Sequence, residues 1–129
     1  NLFLRNKIRN NLLPLLEKEY NSGIKEVLCN LAESAAIDYD YLHAQAKKTL
    51  PKRKQGIRLE KLKKLHPSIQ RLALRLSIDK IKGNMRKIDF RHIRELEDLI
   101  LNRPAGSVVD LPQGISVKKN KSYLSIYKR

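Results

Sequence analysis

The sequence predicts an α+β fold: a helical body of four to five helices closed by a small C-terminal three-stranded antiparallel sheet. Two observations predict it. Apolar residues recur at helical spacing through residue 102, and after Gly106 the period changes from 3.6 to 2. A third bounds the size: 129 residues, 41% of them hydrophobic, suffice for one domain with a packed core. Aromatics are 5% and Trp is absent, so that core is expected to consist of Leu, Ile, Val and Ala.

Residues 2–19 read as a helix with Ile8, Leu12, Leu15 and Leu16 on one stripe. Pro14 lacks a donor and is expected to kink or break it near Asn10 to Leu13. Tyr20 to Gly23 is turn chemistry, with Asn21 or Ser22 available as a cap. Ile24, Val27, Leu28, Leu31, Ala32 and Ala35 then form one unbroken apolar face. This helix is expected to run to about Thr49 and to stop at Pro51. Cys29 sits among apolar neighbours and reads as a buried structural thiol; as the single cysteine it excludes an internal disulfide and points to a reducing compartment.

Lys47 to Lys64 holds nine Lys or Arg against one acid, Glu60. Pro51 and Gly56 make its first half a loop, while its second half is open between strand and helix. The stretch from His66 reads as a helix with Pro67 at its first position and Gly83 just past its end. Ile69, Leu72, Ala73 and Leu76 make one stripe and Leu74, Ile78 and Ile81 another, which makes this helix central. Asp89 can cap a further helix over 90–102, with Phe90, Ile93, Leu96 and Ile100 inward. Val109 and Leu111, Ile115 and Val117, and Leu124 and Ile126 alternate with polar neighbours. Leu111 to Gly114 is a β-turn and Lys119 to Lys121 a second tight connection, giving a meander over 107–128.

Charge narrows the function. Lys plus Arg is 28 and Asp plus Glu is 13, a net of +15. Such an excess attracts polyanions, and nucleic acid is the first of them; an anionic membrane surface or plain solubilising charge are the alternatives. No apolar run approaches the roughly 20 residues of a membrane span. His43, His66 and His92 show no metal-ligand spacing, the five glycines are isolated, and no Ser, His and acid set suggests itself. His66 reads as a helix-entry residue, and His92 as a base-stacking or network-capping one. Asp38, Asp40, Glu95, Glu97 and Asp98 read as solvated helix faces.

Arg5 and Arg9 stand at i and i+4 of one helix face, with Ile8 and Leu12 expected to point elsewhere, and Arg71 and Arg75 repeat the spacing. Lys52, Arg53 and Lys54 form a cluster in the basic loop. Paired guanidinium forks suit phosphate oxygens, and the scarcity of aromatics favours phosphate contact on a structured duplex over single-strand stacking. The other account of all these side chains is surface charge.

Four motifs resemble one family. Arg5 to Leu16, "RNKIRNNLLPLL", resembles the R-N-x-I-R…L-L-P-x-L segment of bacterial tRNA(Ile)-lysidine synthases. His66 to Arg75 is similar to that family's P-x-x-Q-R-x-x-x-R pattern, and Phe90 to Ile100 looks like its following helix. Gly106 to Ile126 resembles its G-x-x-x-D-L-P-x-G-x-x-V stretch and succeeding strand. Gly106, Asp110, Pro112 and Gly114 match the pattern as turn-forming residues.

The resemblance implies a cytoplasmic ATP-dependent ligase using Mg²⁺. Such an enzyme adenylates the wobble cytidine of tRNA(Ile) with a CAU anticodon, and free lysine displaces AMP. The family's S-G-G-x-D-S phosphate loop does not occur in this sequence. Residues 1–20 are therefore expected to be an interdomain linker helix from the end of a catalytic domain, and 21–129 a central tRNA-recognition domain. A start without Met inside a helical stretch fits a segment of a longer protein. The implied tRNA-binding residues are Arg5, Arg9, Lys52, Arg53, Lys54, Arg71 and Arg75, and for Arg5 and Arg9 an interdomain salt bridge is the equal alternative. The oligomeric state is left open, a homodimer included. The competing expectation is a stand-alone basic helical module that binds nucleic acid or another protein.

Overall fold

The structure is a computed structural model and describes residues 2–51 and 56–129. The chain divides into two compact units, Asn1–Asp40 and Tyr41–Arg129.

The first unit contains α1 (Leu2–Lys7), a π-helical turn (Ile8–Leu12), α2 (Leu13–Glu19) and the first part of α3 (Ile24–Thr49). Pro14 does not break the helix. The distortion expected there takes the form of the π turn, in which the Leu13 N–H donates to the Ile8 carbonyl, one residue beyond α-helical spacing. Widening the coil just before Pro14 gives the ring the room that an α turn denies it. Asn21 shapes the following turn: its side-chain oxygen accepts the Gly23 N–H at 2.9 Å. Lys25 and Glu17 pair at 2.6 Å across the two helices.

The apolar face of α3 is formed as expected but is not buried. Val27 and Leu28 are exposed, and Leu31 is 63% exposed. Cys29 is exposed too, which corrects the expectation of a buried thiol. The reason is physical: helical periodicity collects apolar residues on one side, and only a second surface can remove that side from water.

The second unit holds the core. Its sheet is antiparallel with strand order β1-β4-β3-β2, where β1 is Ile57–Arg58, β2 Val108–Leu111, β3 Ile115–Lys119 and β4 Tyr123–Lys128. The expected meander is present, and β1 adds a fourth strand. Its two residues pair Ile57 with Leu124 and Arg58 with Tyr123. The chain turns directly from β1 into α4 (Leu59–Lys63), so the stretch left open between strand and helix is both. Gly56, at φ +81°, makes the entry to β1, and a Cβ there would lie 2.5 Å from the Leu124 carbonyl oxygen.

Helices α5 (Pro67–Lys82) and α6 (Phe90–Leu101) cover one sheet face. Val109, Leu111, Ile115, Val117 and Leu124 meet Ala73, Leu74, Ile78, Ile93, Leu96, Leu99 and Ile100 in one buried cluster. Each large aliphatic side chain removed from water there contributes about 1.5–3 kcal/mol. Helix α5 starts at Pro67 with the His66 imidazole accepting the Ser68 N–H, and it ends at Gly83 in the left-handed conformation.

Helix α6 opens on a capping box. Asp89 accepts the Arg91 and His92 N–H groups, and His92 Nδ1 accepts the Asp89 N–H at 3.1 Å. Two expectations for α6 are corrected. Phe90, the first residue of the helix, is 58% exposed rather than inward, with the Arg71 guanidinium over its ring. Glu97 is 7% exposed rather than solvated, because Arg71 and Arg94 both reach its carboxylate.

Candidate nucleic-acid interface

The two units differ in charge. Residues 1–40 carry 5 Lys or Arg and 6 Asp or Glu, a net of −1; residues 41–129 carry 23 and 7, a net of +16. A field of that size attracts anions to the second unit rather than to the first.

Ion pairing takes some of those cations out of play. Arg71 ties α5 to α6 through Glu97, and its guanidinium lies 5.2 Å from the centre of the Phe90 ring. Arg103 holds Asp98 at 2.8 Å and Glu95 at 3.4 Å, Arg91 holds Asp89 at 2.9 Å, and Arg129 holds Asp110 at 3.4 Å. The carboxyls of Asp98 and Asp89 are accordingly held below the usual range. Hydrogen bonds from Asn102 and then Arg103 do this at Asp98, and one from Arg91 does so at Asp89.

Gln70 and Arg71, adjacent in the motif that begins at Pro67, divide the bracing of α5. Gln70 Nε2 donates to the Leu62 carbonyl at 2.9 Å and so fastens α4, while Arg71 fastens α6. Arg75 is half-buried on the same helix, one turn on. Asp110 accepts the Ser116 hydroxyl at 2.6 Å across the β2–β3 pair, and Gln113 and Gly114 both take positive φ in the turn between them.

Arg5 and Arg9 share a shallow groove of about 620 Å³ on the first unit with Leu4, Ile8 and Leu13. Ile8 therefore lines the same groove rather than pointing elsewhere. Lys52, Arg53 and Lys54 lie outside the described residues.

A second basic concavity escaped sequence reading. A cleft of about 540 Å³ lies between the β1–α4 corner and the β3–β4 turn, lined by Arg58, Lys63, Lys119 and Lys121 among others. Arg58 and Lys63 belong to the basic stretch, but Lys121 lies 58 residues beyond Lys63, and the docking of the β1–α4 corner on β4 and the β3–β4 turn brings it close. Lys119 is buried, and its ammonium donates to the Ile100 carbonyl at 2.8 Å and to that of Arg103, satisfying the C-terminal end of α6. Burial lowers its pKa first and the charge of Lys63 next, while Asp98 acts in the opposite sense. Among the described residues, no group of His, Cys, Asp or Glu could hold a metal ion, and no helix is long and apolar enough to cross a membrane.

Comparison with known proteins places the chain. A protein named tRNA(Ile)-lysidine synthase from Clostridioides difficile (strain 630) is 31% identical over 128 residues, which cover 94% of this chain and 28% of that protein. A namesake from Solibacter usitatus is 29% identical over 96% of this chain and 29% of its own length. One from Dehalococcoides mccartyi is 33% identical over 84% and 24%. The chain thus spans less than a third of the length of these curated relatives. The family model described as the TilS substrate binding domain matches residues 58–123, from the first to the last residue of the cleft just described, and the chain belongs to that family.

Proposed function

We propose that this chain is the tRNA-recognising part of a tRNA(Ile)-lysidine synthase. The observation that carries the proposal is the net +16 of residues 41–129, concentrated on the unit that contains the substrate-binding-domain match. Such a surface draws in a polyanion at long range and orients it through phosphate contacts, which position without reading sequence.

In this reading the parent enzyme is a cytoplasmic, ATP-dependent ligase that modifies the wobble cytidine of tRNA(Ile) bearing a CAU anticodon. ATP, Mg²⁺ and lysine belong to its catalytic part, and no residue of this chain is assigned to them. Residues 1–20 serve as the linker helix and 21–129 as the recognition domain. Arg5, Arg9 and Arg75, with the loop cations Lys52, Arg53 and Lys54, reach tRNA phosphates. Arg71 contributes chiefly by holding α5 and α6 together through Glu97, which keeps Arg75 in place.

The test is equilibrium binding of a tRNA(Ile) CAU transcript, an unstructured RNA of equal length and a DNA duplex, each over a salt series. The transcript is expected to bind tightest. Its slope of log K against log salt should steepen by about 0.7–0.9 for each phosphate neutralised. A preference for the DNA duplex over the transcript would overturn the proposal in favour of a basic DNA-binding module. Arg75→Glu should weaken tRNA binding without lowering the melting temperature; unchanged affinity would remove that residue from the interface.

A further inference from the structure

The cleft between the β1–α4 corner and the β3–β4 turn is more than a collection of surface cations. Arg58 pairs with Tyr123 in the β1–β4 ladder, so both side chains stand on the sheet face opposite the core residues Ile57 and Leu124. The Leu59 N–H donates to the Ser122 carbonyl at 2.9 Å, which fastens the start of α4 to the β3–β4 turn. The turn itself is closed by the Asn120 N–H on the Tyr123 carbonyl at 2.8 Å and by Asn120 Nδ2 on the Ser125 hydroxyl at 2.8 Å. The two rims are therefore held at a fixed separation by backbone hydrogen bonds, which is the preorganisation a ligand site needs.

The charge of this cleft is compensated only in small part, by Glu60 acting on Arg58 and by Asp98 acting on Lys119. Glu60 is its one acidic lining residue, and Lys64 holds that carboxylate at 2.7 Å. Among the described residues, no carboxylate lies within ion-pair distance of Arg58, Lys63 or Lys121. Lys63 also lies near enough to the buried Lys119 for its charge to depress that ammonium's pKa. Cations that outnumber their counter-charges repel one another, and a bound anion relieves that repulsion. About 540 Å³ accommodates a phosphodiester with its flanking sugars.

We propose that this cleft is a phosphate-binding site, in which Arg58, Lys63 and Lys121 take the phosphate oxygens and the Ser122 and Tyr123 hydroxyls donate further hydrogen bonds. Its natural occupant is the sugar–phosphate backbone of the bound RNA, and that identification, unlike the site itself, rests on the tRNA reading. Arginine offers the phosphate a planar fork and lysine a point charge, so the set suits a tetrahedral polyoxyanion better than a planar carboxylate.

Two measurements on the chain test the proposal. The first compares tRNA binding by Lys63→Glu/Lys121→Glu with that of Lys80→Glu/Arg86→Glu, an exposed pair outside the cleft that changes the net charge equally. The cleft pair should lose affinity roughly tenfold or more and flatten the salt slope by about 1.4–1.8, and the control pair should lose about threefold at most. The second follows amide ¹H–¹⁵N shifts as inorganic tripolyphosphate is added. Shifts should concentrate at residues 58–63 and 119–123 and vanish in Lys63→Gln/Lys121→Gln, a milder variant that guards against misfolding.

Selective loss in the first measurement with localised shifts in the second supports the site and its occupant. Binding of tRNA that falls equally in both pairs, without localised shifts, overturns the cleft and leaves the tRNA reading standing. Localised shifts with no tRNA binding by the unmodified chain keep the phosphate site and overturn the tRNA reading. Neither shifts nor tRNA binding would overturn both.

Discussion

The two units are built from similar helices and solve opposite problems. Residues 41–129 bury a continuous aliphatic cluster between α5, α6 and the sheet and carry a net charge of +16. Residues 1–40 carry a net −1 and leave Val27, Leu28, Leu31, Leu12 and Leu15 exposed. Helix α3 gathers apolar residues on one side of its first turns, as α6 does more strongly along its whole length, yet in α6 that side is covered by the sheet and in α3 it stays exposed. Hydrophobic stabilisation follows the area removed from water rather than the pattern that would permit its removal.

Core truncation should separate the units most sharply. Leu96→Ala and Leu99→Ala, at fully buried positions, should each cost about 2–5 kcal/mol in urea unfolding. Leu31→Ala, at an exposed position of α3, should stay within about 0.5 kcal/mol. Equal losses at the two places would show that the α3 face is covered in solution. Gly56→Ala comes next, at about 1–3 kcal/mol, since it combines a positive φ with a Cβ pressed on the Leu124 carbonyl. It should loosen β1 and the cleft beside it; a melting temperature unchanged from the parent chain would refute the β1–β4 pairing.

Limited proteolysis should cut within residues 1–40, where few apolar side chains are withdrawn from water, before it cuts within residues 56–129. Early cuts within α5 or α6 would reverse the comparison.

Acid sharpens it further, with a smaller effect. Asp89 and Asp98 have folded pKa values below the ordinary 3.8, so between the two values the unfolded chain binds more protons. Their stabilisation is present above the unfolded value and is lost as pH falls through the folded one. Stability should therefore decline below about pH 4, and the decline should be shallower in Asp98→Asn. Identical pH profiles for parent and variant would remove Asp98 from that account.

Much of the architecture was readable without coordinates. Pro67 and Gly83 bracket α5, Asp89 caps α6, and the switch to period 2 after Gly106 yields the β2–β3–β4 meander, because each rests on local geometry that a few neighbouring residues impose. The π turn before Pro14 was not readable, since a helix can meet a proline by breaking, kinking or widening, and all three begin from the same residues. The burial of Glu97 was missed because its partner Arg71 lies 26 residues away. Of the named basic residues, Arg5 and Arg9 were expected on one helix face and line one groove together with Ile8, while Arg71 is engaged within the fold.

By itself, then, the sequence determined which residues share a helix face or strand face, where the helices cap and turn, and that the chain carries a net charge of +15. Those properties depend on dihedral preferences, periodicity and a charge count, all of which are local or additive. Tertiary structure alone decided which apolar face is buried, which cations are neutralised, and that Lys121 joins Arg58 and Lys63 around one cleft. Such outcomes depend on pairing across long sequence separations, as between β1 and β4, where a two-residue strand with no periodicity of its own sets the geometry of the site.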